Sequence, residues 1–357
     1  MGTTSDKAPR PREAPLPGWL AVPMARVYAL ELARRNRRFD RGRGVVRLDC
    51  PVISVGNLSV GGVGKTPMVS RILHWLRGVG EKPCVAMRGY KAQGGLSDEA
   101  ELHRRQFPDE PTPVVAQADR VEGLYELFDS DEGHDVNVVV LDDGFQHRRI
   151  WRDLDIVLLD ATRPLSDIRL LPAGYWREPA SALARADAVV ITHAELADDD
   201  AIETMSAEVE KHHGERPIAV ARHEWRHLRR PTKDGVKRMD VAWLTGKTVV
   251  GLCAIGRPEG FEAQLERRAG EVARLFALPD HHPLDERTLR GVGAVATKLG
   301  AEAIVVSEKD WVKIEPHAAA LGETPIAISE LSLRFDEGST RLERKVIGLM
   351  REHEQRD

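Results

Sequence analysis

Lys65 and Thr66 close a glycine-rich run, Gly56-Asn57-Leu58-Ser59-Val60-Gly61-Gly62-Val63-Gly64, that follows an apolar stretch at 52–55 and leads into a helical pattern. Glycines so placed let consecutive backbone N–H groups turn toward one anion, and the start of the next helix adds its positive dipole end. Lys65 then reaches the β- and γ-phosphates of a nucleotide, and Thr66 offers its hydroxyl to Mg²⁺, as in a Walker A loop. The strict spacing G-x-x-x-x-G-K-[ST] is not met, because Ser59 occupies the place of the first glycine. The candidate nucleotide cradle is Ser59, Val60, Gly61, Gly62, Val63, Gly64, Lys65 and Thr66.

A second segment supplies acid. Residues 136–141 are apolar and largely β-branched apart from Asn137 and end in Asp142-Asp143, the pattern of a buried parallel strand that delivers carboxylates to the carboxyl edge of a sheet. One of the two would hold Mg²⁺ directly or through water. A third segment leaves a strand with Arg88-Gly89 and ends in Ser97-Asp98-Glu99. A loop beside the cradle is where a phosphoryl acceptor would be met, and an aspartate there orients or deprotonates the attacking hydroxyl.

The elements that must position these residues alternate strand and helix. Strand patterns fall at 52–55, 83–87, 136–141, 156–159 and 188–191, separated by segments that fit βαβ crossovers. The expected fold is α/β: a P-loop NTPase-like, doubly wound parallel sheet with the nucleotide at its carboxyl edge. Residues 222–239 are polar and basic and are broken by Pro231 and Gly235, which reads as a hairpin or linker. Strands at 248–254, 271–276 and 303–306 begin a second α/β pattern. The division is then 1–40, an N-terminal segment; 41–221, the P-loop core; 222–245, the linker; and 246–357, a smaller C-terminal α/β domain.

At 357 residues the chain is long enough for two cores. A formal charge of -4 gives no reason to expect nucleic acid as a partner. Cys50, Cys84 and Cys253 form no C-x-x-C pair, so neither a disulfide framework nor a cysteine zinc site is indicated. The pairs His212-His213 and His281-His282 point apart on either helix or strand and make poor joint metal ligands. No stretch reads as a membrane span or secretory signal. Residues 19–38 place Leu20, Met24, Val27 and Tyr28 at helical spacing, with Arg34, Arg35, Arg37 and Arg38 at the far end. The residues alone leave two readings open: a helix lying on an anionic membrane surface, or an amphipathic helix packed on the domain with a solvated basic end.

Taken together, the motifs resemble those of the tetraacyldisaccharide 4'-kinase family. The matching stretches are 56–67, Arg88-Gly89-Tyr90, Ser97-Asp98-Glu99, Asp119-Arg120, Asp142-Asp143-Gly144-Phe145-Gln146-His147-Arg148 and Arg152-Asp153-Leu154-Asp155. Further along come Leu171-Pro172-Ala173-Gly174, Arg177-Glu178-Pro179, Asp280-His281-His282 and Ser307-Glu308-Lys309-Asp310-Trp311-Val312-Lys313. The resemblance implies a kinase that moves the γ-phosphoryl of ATP, with Mg²⁺, to the 4'-hydroxyl of a tetraacylated glucosamine disaccharide 1-phosphate, a lipid A precursor. It implies a peripheral position at the cytoplasmic face of the inner membrane, an N-terminal helix on that anionic surface, and a β-stranded linker to the second domain.

By the same resemblance Asp98 matches the catalytic aspartate and His281 the histidine that pairs with it. Lys65 and Thr66 match the phosphate and Mg²⁺ ligands, and Glu99, Asp142, Asp143 and Gln146 the polar set around metal and phosphates. Arg88, Arg120 and Arg177 fall in the substrate or phosphate contacts. The chain departs from the family pattern at Ser97 and Ala100, at Pro283-Leu284, and at His193, where a lysine is frequent. The alternative is a P-loop GTPase or ATPase switch, or a metallochaperone-type NTPase. Against it, Val60 stands where the partitioning switches carry a lysine, and His193 removes the lysine of the guanine-reading motif.

Overall fold

The structure, a computed structural model, describes residues 18–89, 98–107, 109–232, 235–280 and 282–355. Helix α1 (Gly18–Asp40) precedes β1 (Val52–Asn57), α2 (Lys65–Gly78), β2 (Pro83–Met87), α3 (Asp98–Arg105), β3 (Val114–Ala116) and α4 (Arg120–Phe128). Then come β4 (Val138–Asp142), β5 (Leu154–Asp160), β6 (Ala188–Thr192), α5 (Asp199–His213) and two long or paired strands, β7 (Ala219–Thr232) and β8 (Gly235–Met239). The remainder is β9 (Thr248–Cys253), α6 (Pro258–Arg268), β10 (Glu271–Ala277), α7 (Glu286–Lys298), β11 (Ala303–Ser307), α8 (Glu308–Ile314), β12 (Ile326–Glu337) and α9 (Ser339–Glu354).

The sequences VISVGN, VVVLD, LDIVLLD and AVVIT are apolar on both faces because helices cover both faces of a parallel sheet. Every residue of β1, β4, β5 and β6 is accordingly buried. On one face Ile53 and Val55 of β1 pack with Met68, Ile72, Leu73 and Leu76 of α2. On the other, Val52 and Val139 meet Val121 and Leu124 of α4. Truncating the fully buried Ile72 to alanine costs about 2–5 kcal/mol, the usual range for such a cavity.

Strand order runs β10-β9-β11-β12-β7-β6-β5-β1-β4-β2-β3, with β8 pairing β7. β1 is flanked in parallel by β4 on one side and β5 on the other. The chain winds outward through β2 and β3, returns as β4, and continues on the far side of β1. The loop after β1 thus sits at the switch point, where open α/β sheets bind ligands.

Two long strands carry the sheet from one half to the other. β7 starts parallel to β6, with Ala219 opposite Val190, then runs antiparallel to β12 from Val220 opposite Glu337 to Arg229 opposite Ile328. β12 begins parallel to β11. The expected hairpin at 222–239 is therefore the distal part of β7 folded back on β8. β12 and α9 have no counterpart in the sequence reading. Residues 339–354, which that reading groups with the smaller unit, send Leu342, Val346 and Met350 into the α2 core of the larger one. These positions recur every four residues along α9, an amphipathic stripe whose spacing does not say which core it will meet.

Candidate active site

The phosphate loop is shaped by its own residues and fastened by its neighbours. Gly61 and Gly64 have φ of 107° and 84°, in the left-handed region open to glycine. A Cβ on Gly64 would also overlap the His223 imidazole. No side chain among the described residues caps α2, so its first N–H groups and its dipole face the loop. Asn57 Nδ2 donates to the Ser59 carbonyl at 2.6 Å, Arg163 to that of Val60 at 2.8 Å, and Thr192 Oγ1 to that of Val63 at 2.8 Å. These bonds hold the carbonyls outward and leave the loop preorganised for an anion.

At its mouth lies a charged cluster. Lys65 Nζ donates to Asn57 Oδ1 at 3.3 Å and lies 3.5 Å from Asp143 Oδ1. Asp143, turned by a φ of 54° just past β4, accepts from Arg177 on both oxygens at 2.9 and 2.8 Å. Burial alone would raise its carboxyl, but the charges of Lys65, Arg177 and Arg120 outweigh it and hold it below the ordinary range. Gln146 accepts from Arg177 at 3.3 Å and donates to the Asn57 carbonyl at 2.8 Å. Arg120 donates to the Asp143 carbonyl at 3.4 Å. Behind them the fully buried Glu178 takes two bonds from Arg185, whose guanidinium lies 4.2 Å over the Phe145 ring.

The paired aspartates diverge. While Asp143 faces Lys65, the buried Asp142 sets its Oδ2 3.2 Å from Nε2 of the fully buried His103 on α3. Thr66 follows Lys65 in the first turn of α2. Hydroxyl and carboxylate oxygens from Thr66, Asp142, Asp143 and Glu99 are the donor chemistry Mg²⁺ prefers. The cradle beside them is open, since a Cβ on Gly62 would meet no described atom within 4 Å.

The second half of the sheet reaches this edge through α8. Lys313 Nζ lies 2.6 Å from Asp98 Oδ2. One turn earlier, Lys309 donates to Glu99 at 3.1 Å and lies 3.6 Å from Asp280. Burial would lower the Lys309 pKa, but Glu99 and Asp280 more than offset it and raise it. A Cβ on Gly256 would stand 3.1 Å from Asp280 Oδ2 and 3.7 Å from the Gly62 nitrogen, so this loop of the second half abuts the cradle. Arg257 adds a bridge to Asp160 and a 2.9 Å bond to Thr162.

The family profile described as Tetraacyldisaccharide-1-P 4'-kinase matches residues 17–349. The chain belongs to this family. It is 36% identical over 331 residues to the tetraacyldisaccharide 4'-kinase of Syntrophus aciditrophicus, covering 87% of this chain and 88% of the relative. It is 34% identical to that of Anaeromyxobacter dehalogenans strain 2CP-C, over 94% and 92% of the two chains. Its fold is similar to the crystal structure of "apo" form LpxK from Aquifex aeolicus in complex with ATP. The TM-score there is 0.67 and the identity 27%, over 92% of this chain and 98% of that one. The match sets the chain among the 4'-kinases rather than the GTPase switches or metallochaperone-type NTPases.

Within that family frame, Lys65, Asp143, Gln146, Arg120 and Arg177 come together at the loop mouth, and Asp98 and Glu99 meet the lysines of α8. Arg88 is exposed just past β2. Tyr90, Ser97 and His281 lie outside the described residues. Asn57, Lys309 and Lys313 are legible in the sequence only as members of matching stretches with no role attached, and Arg163 is not singled out at all. The two lysines stand at i and i+4 on one helix, a visible signal for a shared face. Arg163 gives no such sign, because its partner lies 103 residues away.

Helix α1 leans on the same edge. Tyr28 donates to the Arg177 carbonyl at 2.9 Å and Asn36 to Glu178 at 3.1 Å. Tyr28 thus turns inward, away from the apolar face on which its spacing with Leu20, Met24 and Val27 places it. The outward stripe is instead Trp19, Val27 and Leu30, at 79%, 67% and 72% exposure, with Leu20, Val22 and Met24 beside them. Among the described residues no helix is long and apolar enough to cross a membrane.

Proposed function

We propose that this chain transfers the γ-phosphoryl group of ATP to the 4'-hydroxyl of tetraacyldisaccharide 1-phosphate, with Mg²⁺, at the cytoplasmic face of the inner membrane. The observation that carries this reading is the meeting of two sets at one sheet edge: Lys65 and Asp143 at a preformed phosphate cradle, and Asp98-Glu99 held by Lys313 and Lys309. The relative solved in complex with ATP supports the choice of nucleotide.

The N–H groups of residues 59–66 cradle the phosphates, and Lys65 stabilises the charge that spreads over the transferring group. Thr66, Asp142, Asp143 and Glu99 would hold Mg²⁺, which when bound neutralises charge on the phosphate oxygens. Asp98 accepts the proton of the attacking hydroxyl. Lys313 aims that carboxylate, and His281 pairs with it. Arg177 holds Asp143 against Lys65 until nucleotide arrives, while Arg88, Arg120 and Gln146 contact phosphate or substrate. The exposed stripe of α1 lies in the bilayer surface, its arginines at the headgroup phosphates, so that the lipid enters beside Arg177.

The test is transfer of label from γ-labelled ATP to disaccharide 1-phosphate lipid in mixed micelles. The expected product is a second phosphate monoester at the 4' position, formed with ATP, not with GTP, and abolished by chelation of Mg²⁺. Label remaining in nucleotide and free phosphate, or equal use of GTP, contradicts the reading.

A further inference from the structure

Three side chains converge against the backbone of the phosphate loop and take no part in the transfer just described. His193 follows β6 with a left-handed φ of 56°, Glu195 lies two residues on, and His223 stands on β7. All three side chains are nearly buried, at 9%, 6% and 7% exposure. His193 Nε2 lies 3.1 Å from the Gly62 carbonyl oxygen, its Nδ1 lies 3.2 Å from Glu195 Oε1, and the His223 ring abuts Gly64.

A carbonyl oxygen only accepts, so the His193 Nε2 donates to it, and in the neutral ring the Nδ1 is then the lone-pair nitrogen, turned toward the Glu195 oxygen. His223 Nδ1 lies 3.5 Å from the same oxygen and has no hydrogen-bond partner among the described residues. One Glu195 oxygen thus faces two imidazole nitrogens, at 3.2 and 3.5 Å. The rings stack 4.0 Å apart at 22°, which disfavours two imidazolium charges.

We propose that His193, Glu195 and His223 form a binding site for one divalent transition-metal ion of the zinc class, which ties β6 and β7 to the phosphate loop. Metal–ligand bonds of about 2.0–2.1 Å in a tetrahedron set ligand atoms roughly 3.3–3.4 Å apart. The observed 3.2 and 3.5 Å straddle that spacing, and the His223 ring reaches the ion by turning about χ2, a soft torsion. The outer contacts also match a metal site: His193 gives its other ring N–H to a backbone carbonyl, and Glu195 Oε2 is anchored by the His223 N–H at 2.8 Å. Gln264 fixes the His223 carbonyl at 2.8 Å. Two nitrogens and one carboxylate select against Mg²⁺ and leave a fourth position for water.

The experiment uses the full chain after dialysis against a chelator, with Mg²⁺ in excess throughout. Co²⁺ is titrated and read by its visible absorption, and Zn²⁺ is measured by competition with a chromophoric chelator. The expected result is one equivalent of Co²⁺, displaced by Zn²⁺, with a rise in Tm on adding Zn²⁺. Glu195→Gln keeps the acceptor for the His223 N–H, and both it and His193→Gln should weaken binding about a hundredfold or more and lose the Tm rise. No saturable Co²⁺ spectrum in the parent protein, or one equivalent retained by both variants, overturns the site. Because the readout is binding and melting, this outcome is independent of whether the phosphoryl-transfer reading holds.

Discussion

In the first half of the sheet the loop after β1 is spent on glycines and ends in Lys65, whereas in the second half β11 runs directly into α8 and its last residue is spent on fixing that helix. Ser307 caps α8 by accepting from the Asp310 N–H at 3.1 Å, and Asp310 takes a 2.9 Å bond from the Ala254 N–H and another from the Ser307 hydroxyl. Both connections leave buried parallel strands at a carboxyl edge. One exposes backbone donors to a ligand; the other consumes them internally. What α8 presents outward is Lys309 and Lys313, aimed at α3 of the first half. The same architecture thus yields a glycine loop on one side and a helix set against α3 on the other, and the proposed reaction uses both.

The difference breaks most visibly at Lys65. Lys65→Ala should lower transfer by about 10³-fold or more, because it removes the fixed cation at the transferring group. Its melting curve should stay close to that of the parent protein, since Asp143 keeps Arg177 and Arg120 as partners when Lys65 is removed. A variant with near-normal turnover would show that the loop binds nucleotide without acting on it.

The proposed lipid side lies in the first half, where α1 touches Arg177 and Glu178. Replacing Trp19 and Leu30 together by serine should weaken partitioning to anionic vesicles by about 10²-fold, given roughly 1.5–3 kcal/mol per large apolar side chain buried. Flotation assays read this directly, and unchanged partitioning would move the membrane face elsewhere.

On the second-half side, Lys309→Ala leaves Glu99 and Asp280 facing each other without their shared cation. The expected loss in kcat is about tenfold, partly restored by Lys309→Arg, with ATP affinity held. A change confined to ATP affinity would place Lys309 in nucleotide binding instead of in positioning α3.

The smallest effect is one of stability. Burial, with Arg120, Arg149 and Arg152 nearby, pushes the His147 pKa down to about 4, so the folded protein keeps this ring neutral. The unfolded chain takes up the proton first, near pH 6.5. Stability present above that pH is therefore lost as pH falls from about 6.5 to about 4, by up to ~3 kcal/mol. His147→Asn should flatten that part of the urea-midpoint profile, and an unchanged slope would assign it to other groups.

What the sequence makes legible follows the range of each signal. The cradle and the Asp142-Asp143 strand end are local patterns, with glycines, lysine and aspartates adjacent to an apolar run, and the structure places both at the sheet's switch point. β3 is only three residues long and carries too little pattern to stand out. Lys313 and Asp98 lie more than two hundred residues apart, and nothing within either segment names the other. Tyr28 shows the limit from another side: its spacing is apolar, but its hydroxyl finds the Arg177 carbonyl and turns the residue inward. The His193, Glu195 and His223 cluster is likewise built by β6 and β7 lying side by side, and no spacing rule reaches it.

The central claim is that the two halves act on one hydroxyl through Asp98 and Lys313. Its most direct test is a double-mutant cycle on single-turnover transfer, with lipid and ATP saturating. Asp98→Ala should lower the rate by about 10²- to 10⁴-fold, the range of a general base, and Lys313→Ala by less. The double variant should be little slower than Asp98→Ala alone, because a lysine that works by aiming Asp98 has nothing left to aim. A double loss equal to the product of the two single losses would contradict the claim and leave α8 a structural partner of α3 only.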